Sequence, residues 1–148
     1  MIREGKPLPA DVQEKVPVIV QKLANDSEVI ALYSFGSLAE NALKPLSDLD
    51  FAVLLSNQLN SQQQFDKHLK LIGLFNSVFR TDDIDLVVLN DAPPRFSFHI
   101  TSSGKILICS DRPALIDFIE RNRKHYLDFK YFRDSFDIEF LRGIGYNG

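Results

Sequence analysis

The chain has 148 residues, 45% hydrophobic and 25% charged, which is the make-up of one globular domain over 1–148 rather than two. Lys+Arg 17 against Asp+Glu 20 leaves a net charge of −3, so no general attraction to nucleic acid or anionic membrane is expected and an anionic ligand must be held locally. The single cysteine, Cys109, excludes an internal disulfide. No Cys/His spacing suits zinc, the first residues lack an apolar leader, and no apolar run approaches the ~20 residues of a membrane span; a reducing cytoplasm is the expected location.

In chain order, Asp11 and Glu14 form a capping pair for a helix running to about Leu23, with Pro17 as a kink or a second start. Val29 to Phe35 reads as a buried strand that turns at Gly36-Ser37. A short helix from Leu38 to Leu43 is stopped by Pro45, and Leu49 to Leu54 alternates as a second strand. The polar stretch Ser56 to Gln64 leads into an amphipathic helix whose inner stripe is Phe65, Leu69, Ile72 and Phe75. Asp83 to Leu89 is a third strand. Pro93-Pro94 opens a helix that Gly104 ends, and Lys105 to Cys109 is a fourth strand. Ser110 caps a long helix with Leu115, Phe118, Ile119, Asn122, Tyr126 and Phe129 inward; its aromatic run through Phe136 and Phe140 is either core or a partner strip. Gly143 to Gly148 should be a loose tail. The fold class is α/β (α+β): a short mixed sheet of about four strands with flanking helices on one face and an acidic cluster on the open side.

That cluster carries the chemistry. Gly36-Ser37 is followed, after ten residues, by Asp48-Leu49-Asp50, an arrangement that arises by chance in well under ~1% of chains of this length. On a strand Asp48 and Asp50 share a face, with Cα atoms roughly 6.5–7 Å apart. Carboxylates so close repel unless a cation lies between them, and hard oxygen ligands select Mg²⁺ or Mn²⁺. Asp85 supplies a third carboxylate if its strand lies beside that of Phe51; Asp83 has the same parity and is its rival. Three such groups can hold two ions about 3.5–4 Å apart, one on a triphosphate and one on an attacking hydroxyl. Gly36 lets backbone approach a phosphate and Ser37 offers a hydroxyl.

These residues resemble the minimal nucleotidyltransferases of the DNA polymerase β superfamily. The runs Tyr33-Ser34-Phe35-Gly36-Ser37-Leu38-Ala39, Ser47-Asp48-Leu49-Asp50-Phe51-Ala52-Val53 and Ile84-Asp85-Leu86-Val87-Val88-Leu89-Asn90 are similar to its three motifs. The Gly104-Lys105 turn and the helix through Tyr126-Leu127-Asp128 resemble the MntA-type antitoxins encoded beside a HEPN-domain ribonuclease toxin. The resemblance implies Mg²⁺-dependent transfer of AMP from ATP to a tyrosine hydroxyl of that toxin, which silences it. It also implies Asp48, Asp50 and Asp85 as metal ligands and catalytic carboxylates, and Gly36 and Ser37 as nucleotide contacts. Asn41 stands where the family commonly has a second glycine. The competing readings are an antitoxin that only covers the toxin and a small-molecule nucleotidyltransferase, the latter disfavoured because no second substrate-binding domain is evident.

Other features read as bland. Gly143-Ile144-Gly145-Tyr146-Asn147-Gly148 spells a dinucleotide fingerprint with no strand before it or helix after it. Arg121 and His125 read as an exposed helix face, His68 and His99 as surface residues, and Lys44, Arg80 and Lys105 as solvated charge rather than phosphate contacts.

Overall fold

The computed structural model describes residues 11–39 and 48–143, with backbone alone at 37, 39 and 129–143. An uncharged stretch rich in β-branched and aromatic side chains makes Val29–Phe35 a central strand, β1, buried along all but its last residue. Strand β2 (Leu49–Leu55) and strand β4 (Lys105–Cys109) pair with it antiparallel on either side, and β3 (Ile84–Val88) adds to β2 in parallel. The sheet order is β3-β2-β1-β4, the mixed sheet that the sequence predicts.

Side chains alternate along β2, so Phe51, Val53 and Leu55 pack against α1 (Val12–Leu23) and α3 (Ser61–Phe79). Ala52 and Leu54 face the other way, toward Ile100 of α4 (Pro94–Ser103) and Leu115 of α5 (Arg112–Gly143). Helices therefore cover both faces, not one as the sequence reading has it. The reason is in β1, where Ala31 and Tyr33 are as fully buried as Leu32 on the opposite face, and a strand apolar on both sides needs a cover on each.

The helix boundaries correct several expectations. In α1, Pro17 is accommodated on an exposed position without ending the helix. Asp11 makes no side-chain cap there; its carboxylate accepts from Arg80 at 2.7 Å, so Arg80, read from sequence as solvated charge, is an ion-pair partner at the start of α1. Helix α3 begins inside the polar stretch, because Asn60 and Gln63 close a reciprocal capping box at 2.9 Å in each direction. Its buried residues are Leu71, Phe75 and Phe79, whereas Phe65 and Leu69 are 58% and 54% exposed, so the inward stripe is rotated from the expected one. Phe51, Phe75 and Phe79 form a ring cluster with centroids 4.9–6.2 Å apart.

Helix α4 starts at the prolines and ends at Gly104, whose N–H donates to the Ile100 carbonyl at 2.7 Å. A Cβ at Gly104 would stand 2.6 Å from that oxygen. Helix α5 is capped by Asp111, which accepts from the Ala114 N–H at 3.1 Å; Ser110 instead donates to the Val29 carbonyl at 2.6 Å and ties the helix start to β1. The inner face of α5 is as expected through Tyr126, which stacks on Phe98 at 4.7 Å. The side chains of Phe129, Phe136 and Phe140 and residues 144–148 lie outside the described set. So do Asn41, Lys44, Pro45 and most of the expected Leu38–Leu43 helix; the described part, α2 (Gly36–Ala39), begins at Gly36, two residues earlier than expected. Among the described residues no helix is long and apolar enough to cross a membrane.

Candidate active site

Asp50 is the second residue of β2, and its register neighbours set the site. Phe35, the last residue of β1, lies across from it on one side, and Asp85 of β3 on the other. Parallel neighbours sit about 4.8 Å apart in the pairing direction, and both carboxylates leave the sheet on the face of Ala52 and Val87. Asp48 immediately precedes β2 instead of belonging to the strand, yet it remains close enough to act on Asp50. The Asp50 carboxyl is pushed up to about 6, first by burial and then by the negative charges of Asp85 and Asp48. Asp83, the rival third carboxylate, precedes β3 and is engaged by the Thr81 hydroxyl at 3.4 Å.

Gly36 follows Phe35 with φ +64°, a left-handed backbone that favours glycine. A Cβ there would stand 2.5 Å from Oδ2 of Asp50. The glycine is therefore required twice, by its own backbone and by the carboxylate beside it. The second demand has no signal in the sequence, because the two residues are fourteen apart and meet only through the β1–β2 pairing. The backbone of Ser37 continues into α2 beside this turn, and its side chain lies outside the described set.

The fit to a divalent cation rests on two observations. Oδ1 of Asp48 is buried with no hydrogen-bond partner, and Asp50 is an acid driven toward its neutral form by two neighbouring carboxylates. A hard cation satisfies both, and oxygen-only donors of this kind suit Mg²⁺. Among the described residues, however, no three His, Cys, Asp or Glu side chains converge closely enough to form a ready cage. Asp48, Asp50 and Asp85 are thus an electrostatic cluster in the protein alone, and a bound ion would have to draw their carboxylates together.

The remaining polar candidates fall elsewhere. Lys105 pairs in register with Ser34, which itself pairs with Phe51. It shares their row, one removed from Asp50 and on the opposite face. His68 is not merely on the surface: a ring nitrogen donates to the Leu86 carbonyl of β3 at 2.7 Å. Arg121 is exposed and pairs with Asp117 at 3.0 Å.

A small mixed sheet with a glycine turn after its central strand and carboxylates on the next two strands has the fold of a nucleotidyltransferase. Residues 18–113 match the polymerase beta nucleotidyltransferase family, and the chain belongs to that family. No curated protein sequence matches it. Among solved structures it is similar to the toxin-antitoxin MntA-HepT, at 22% identity and a TM-score of 0.61, over 87% of this chain and 98% of that one. The same figures hold for a toxin-antitoxin with AMP-PNP. A tri-AMPylated Shewanella oneidensis HEPN toxin in complex with MNT antitoxin matches at 22% identity and a TM-score of 0.60, with the same coverage. At these identities the likeness establishes a common fold.

Proposed function

We propose that this chain transfers AMP from ATP to a tyrosine hydroxyl of a HEPN-domain ribonuclease toxin and acts as its antitoxin, in the cytoplasm where that toxin would cut RNA. The observation that carries the reading is the register pair Asp50–Asp85 beside a turn that only glycine fits. The family supplies the reaction type. Solved structures of this fold that contain AMP-PNP or an AMPylated HEPN toxin supply the donor and partner class.

Asp48, Asp50 and Asp85 would hold Mg²⁺, which neutralises triphosphate charge and makes a hydroxyl more acidic. Gly36 admits phosphate oxygens close to the backbone and Ser37 offers its hydroxyl to them. The phenolic oxygen then bonds to the α-phosphorus as the bond from that phosphorus to the β-phosphate oxygen breaks. Pyrophosphate leaves, and the phenolic proton passes to an Asp85 carboxylate oxygen and on to water. Most of the protein's work is positioning and charge.

The test is incorporation of label from α-labelled ATP into the co-expressed toxin. Asp50→Asn should lower it by at least about a hundredfold; unchanged labelling would reject the role given to Asp50, and no labelling by the wild type would reject the reading. The alternative is an antitoxin that neutralises by covering its partner. Full neutralisation by an Asp50→Asn variant that no longer labels the toxin would establish that alternative.

A further inference from the structure

We propose that the groove between α3 and α4, along the free edge of β3, seats the partner segment that brings the acceptor hydroxyl to Asp85. The occupant is a bulky apolar side chain flanked by lysine or arginine. This inference rests on the reading above, since it names how the partner engages the same site.

The groove has a volume of about 550 Å³ and is walled by Phe65 of α3, Val87 of β3 and Phe96 of α4. Two of its lining residues, Phe96 and Val87, connect it to the acidic pair. Phe96 meets Phe35 edge to face with centroids 5.9 Å apart, and Phe35 is the register partner of Asp50. Val87 lies two residues beyond Asp85 on the same face of β3. Phe65 and Phe96 are 58% and 37% exposed, and Leu69, one helical turn from Phe65, extends the apolar surface. Large aromatic side chains left in water beside a site mark a place where something docks.

Three features choose the occupant. First, the lining contains no lysine or arginine but does contain exposed Asp91, so charge complementarity calls for a cation beside the apolar anchor. Second, Gln64, another lining residue, keeps a buried side-chain carbonyl oxygen with no hydrogen-bond partner, and such an acceptor wants an N–H donor. Third, His68 already holds the Leu86 carbonyl of β3 at 2.7 Å. A partner strand adding to this edge would need that group, so the occupant enters by side chains from a helix or turn rather than as a fifth strand.

The experiment is a calorimetric titration of the full chain with a purified HEPN-domain toxin from the same genome, run alongside AMP transfer by the wild type. Phe65→Asp and Asp91→Lys should each weaken binding about tenfold or more, and Phe65→Leu should restore it to within about threefold. The changed side chains are exposed, so melting temperatures should stay within about 2 °C of wild type and exclude misfolding as the cause. Unchanged affinity in Phe65→Asp overturns the groove assignment even if AMP transfer is intact. Groove-dependent binding without AMP transfer by the wild type overturns the catalytic reading and leaves the groove standing. Failure of the wild type to bind the HEPN protein overturns both.

Discussion

Asp85 lies directly across from Asp50 in the parallel β2–β3 ladder, on the same face of the sheet. Like charges directly opposite each other on neighbouring strands are destabilising, and the site adds the nearby Asp48 to them. A fold optimised for stability alone would not place acids there. That conflict between local stability and arrangement is what the proposed metal-binding role of these carboxylates predicts, and it can be measured.

The first measurement is pH dependence. Asp50 in the folded chain titrates at about 6, above its ordinary 3.8, so between these values the native state holds a proton that the unfolded chain has released. Stability from this group is therefore fully present below about pH 4 and is lost as pH rises through 6. Asp50→Asn removes the charge without removing the shape. Without divalent ions the variant should melt a few degrees above wild type at pH 7, and the two should converge below pH 4. Thermal denaturation at closely spaced pH values checks this, and a variant less stable than wild type at pH 7 would contradict it.

Metal addition should act on the same repulsion. A cation bound only by the native state stabilises it by mass action, so millimolar Mg²⁺ should raise the wild-type melting temperature and a chelator should reverse the shift. The increment should shrink in Asp50→Asn and in Asp85→Asn, whose charge clusters are one carboxylate smaller. An equal Mg²⁺ response in wild type and both variants would place metal binding elsewhere.

Gly36 offers a sharper test, because two independent demands meet at one atom position. Alanine there pays for a left-handed backbone, about 1 kcal/mol, and its Cβ also meets Oδ2 of Asp50 at 2.5 Å. Gly36→Ala should therefore destabilise by about 1–3 kcal/mol and strongly reduce AMP transfer by displacing the carboxylate. In an Asp50→Ala background only the backbone cost should remain. A double-mutant cycle by denaturant unfolding should thus give a clear coupling energy between these residues. Strict additivity would mean that the carboxylate does not rest against the glycine.

Much of this arrangement is legible in the sequence, for local reasons. The runs Val29–Phe35 and Lys105–Cys109 have the β-branched content and the glycine boundary of strands, and both form over those limits. The parity of Asp85 with apolar Ile84, Leu86 and Val88 on alternate positions places it toward Asp50 once the strands are neighbours. Other features depend on distant partners. Asp11 looks like a cap until Arg80, sixty-nine residues away, takes its carboxylate. Ser110 looks like a cap until the β1 carbonyl at Val29 claims its hydroxyl. Helical coverage of both sheet faces follows from the burial of β1 on both of its sides, which depends on the helices that pack there rather than on the strand alone. The contact between Gly36 and Asp50 likewise arises only from strand pairing.

Helix α3 shows the ambiguity most plainly and gives the last prediction. Phe65, Leu69, Ile72 and Phe75 make one apolar stripe, while Leu71, Phe75 and Phe79 make another, and both satisfy helical spacing. The fold settles the choice by placing Phe75 and Phe79 against Phe51 of β2, with centroids at 4.9 and 5.4 Å from that ring. Phe75→Ala should then empty a fully buried position and cost about 3–5 kcal/mol. Phe65→Ala, at a residue 58% exposed, should stay within about 0.5 kcal/mol. The two phenylalanines lie ten residues apart on one helix, so its propensity is nearly common to both and the contrast reports orientation. Urea unfolding of the two variants checks it; equal losses would mean that α3 presents its other stripe to the sheet and that the groove beside β3 is part of the core.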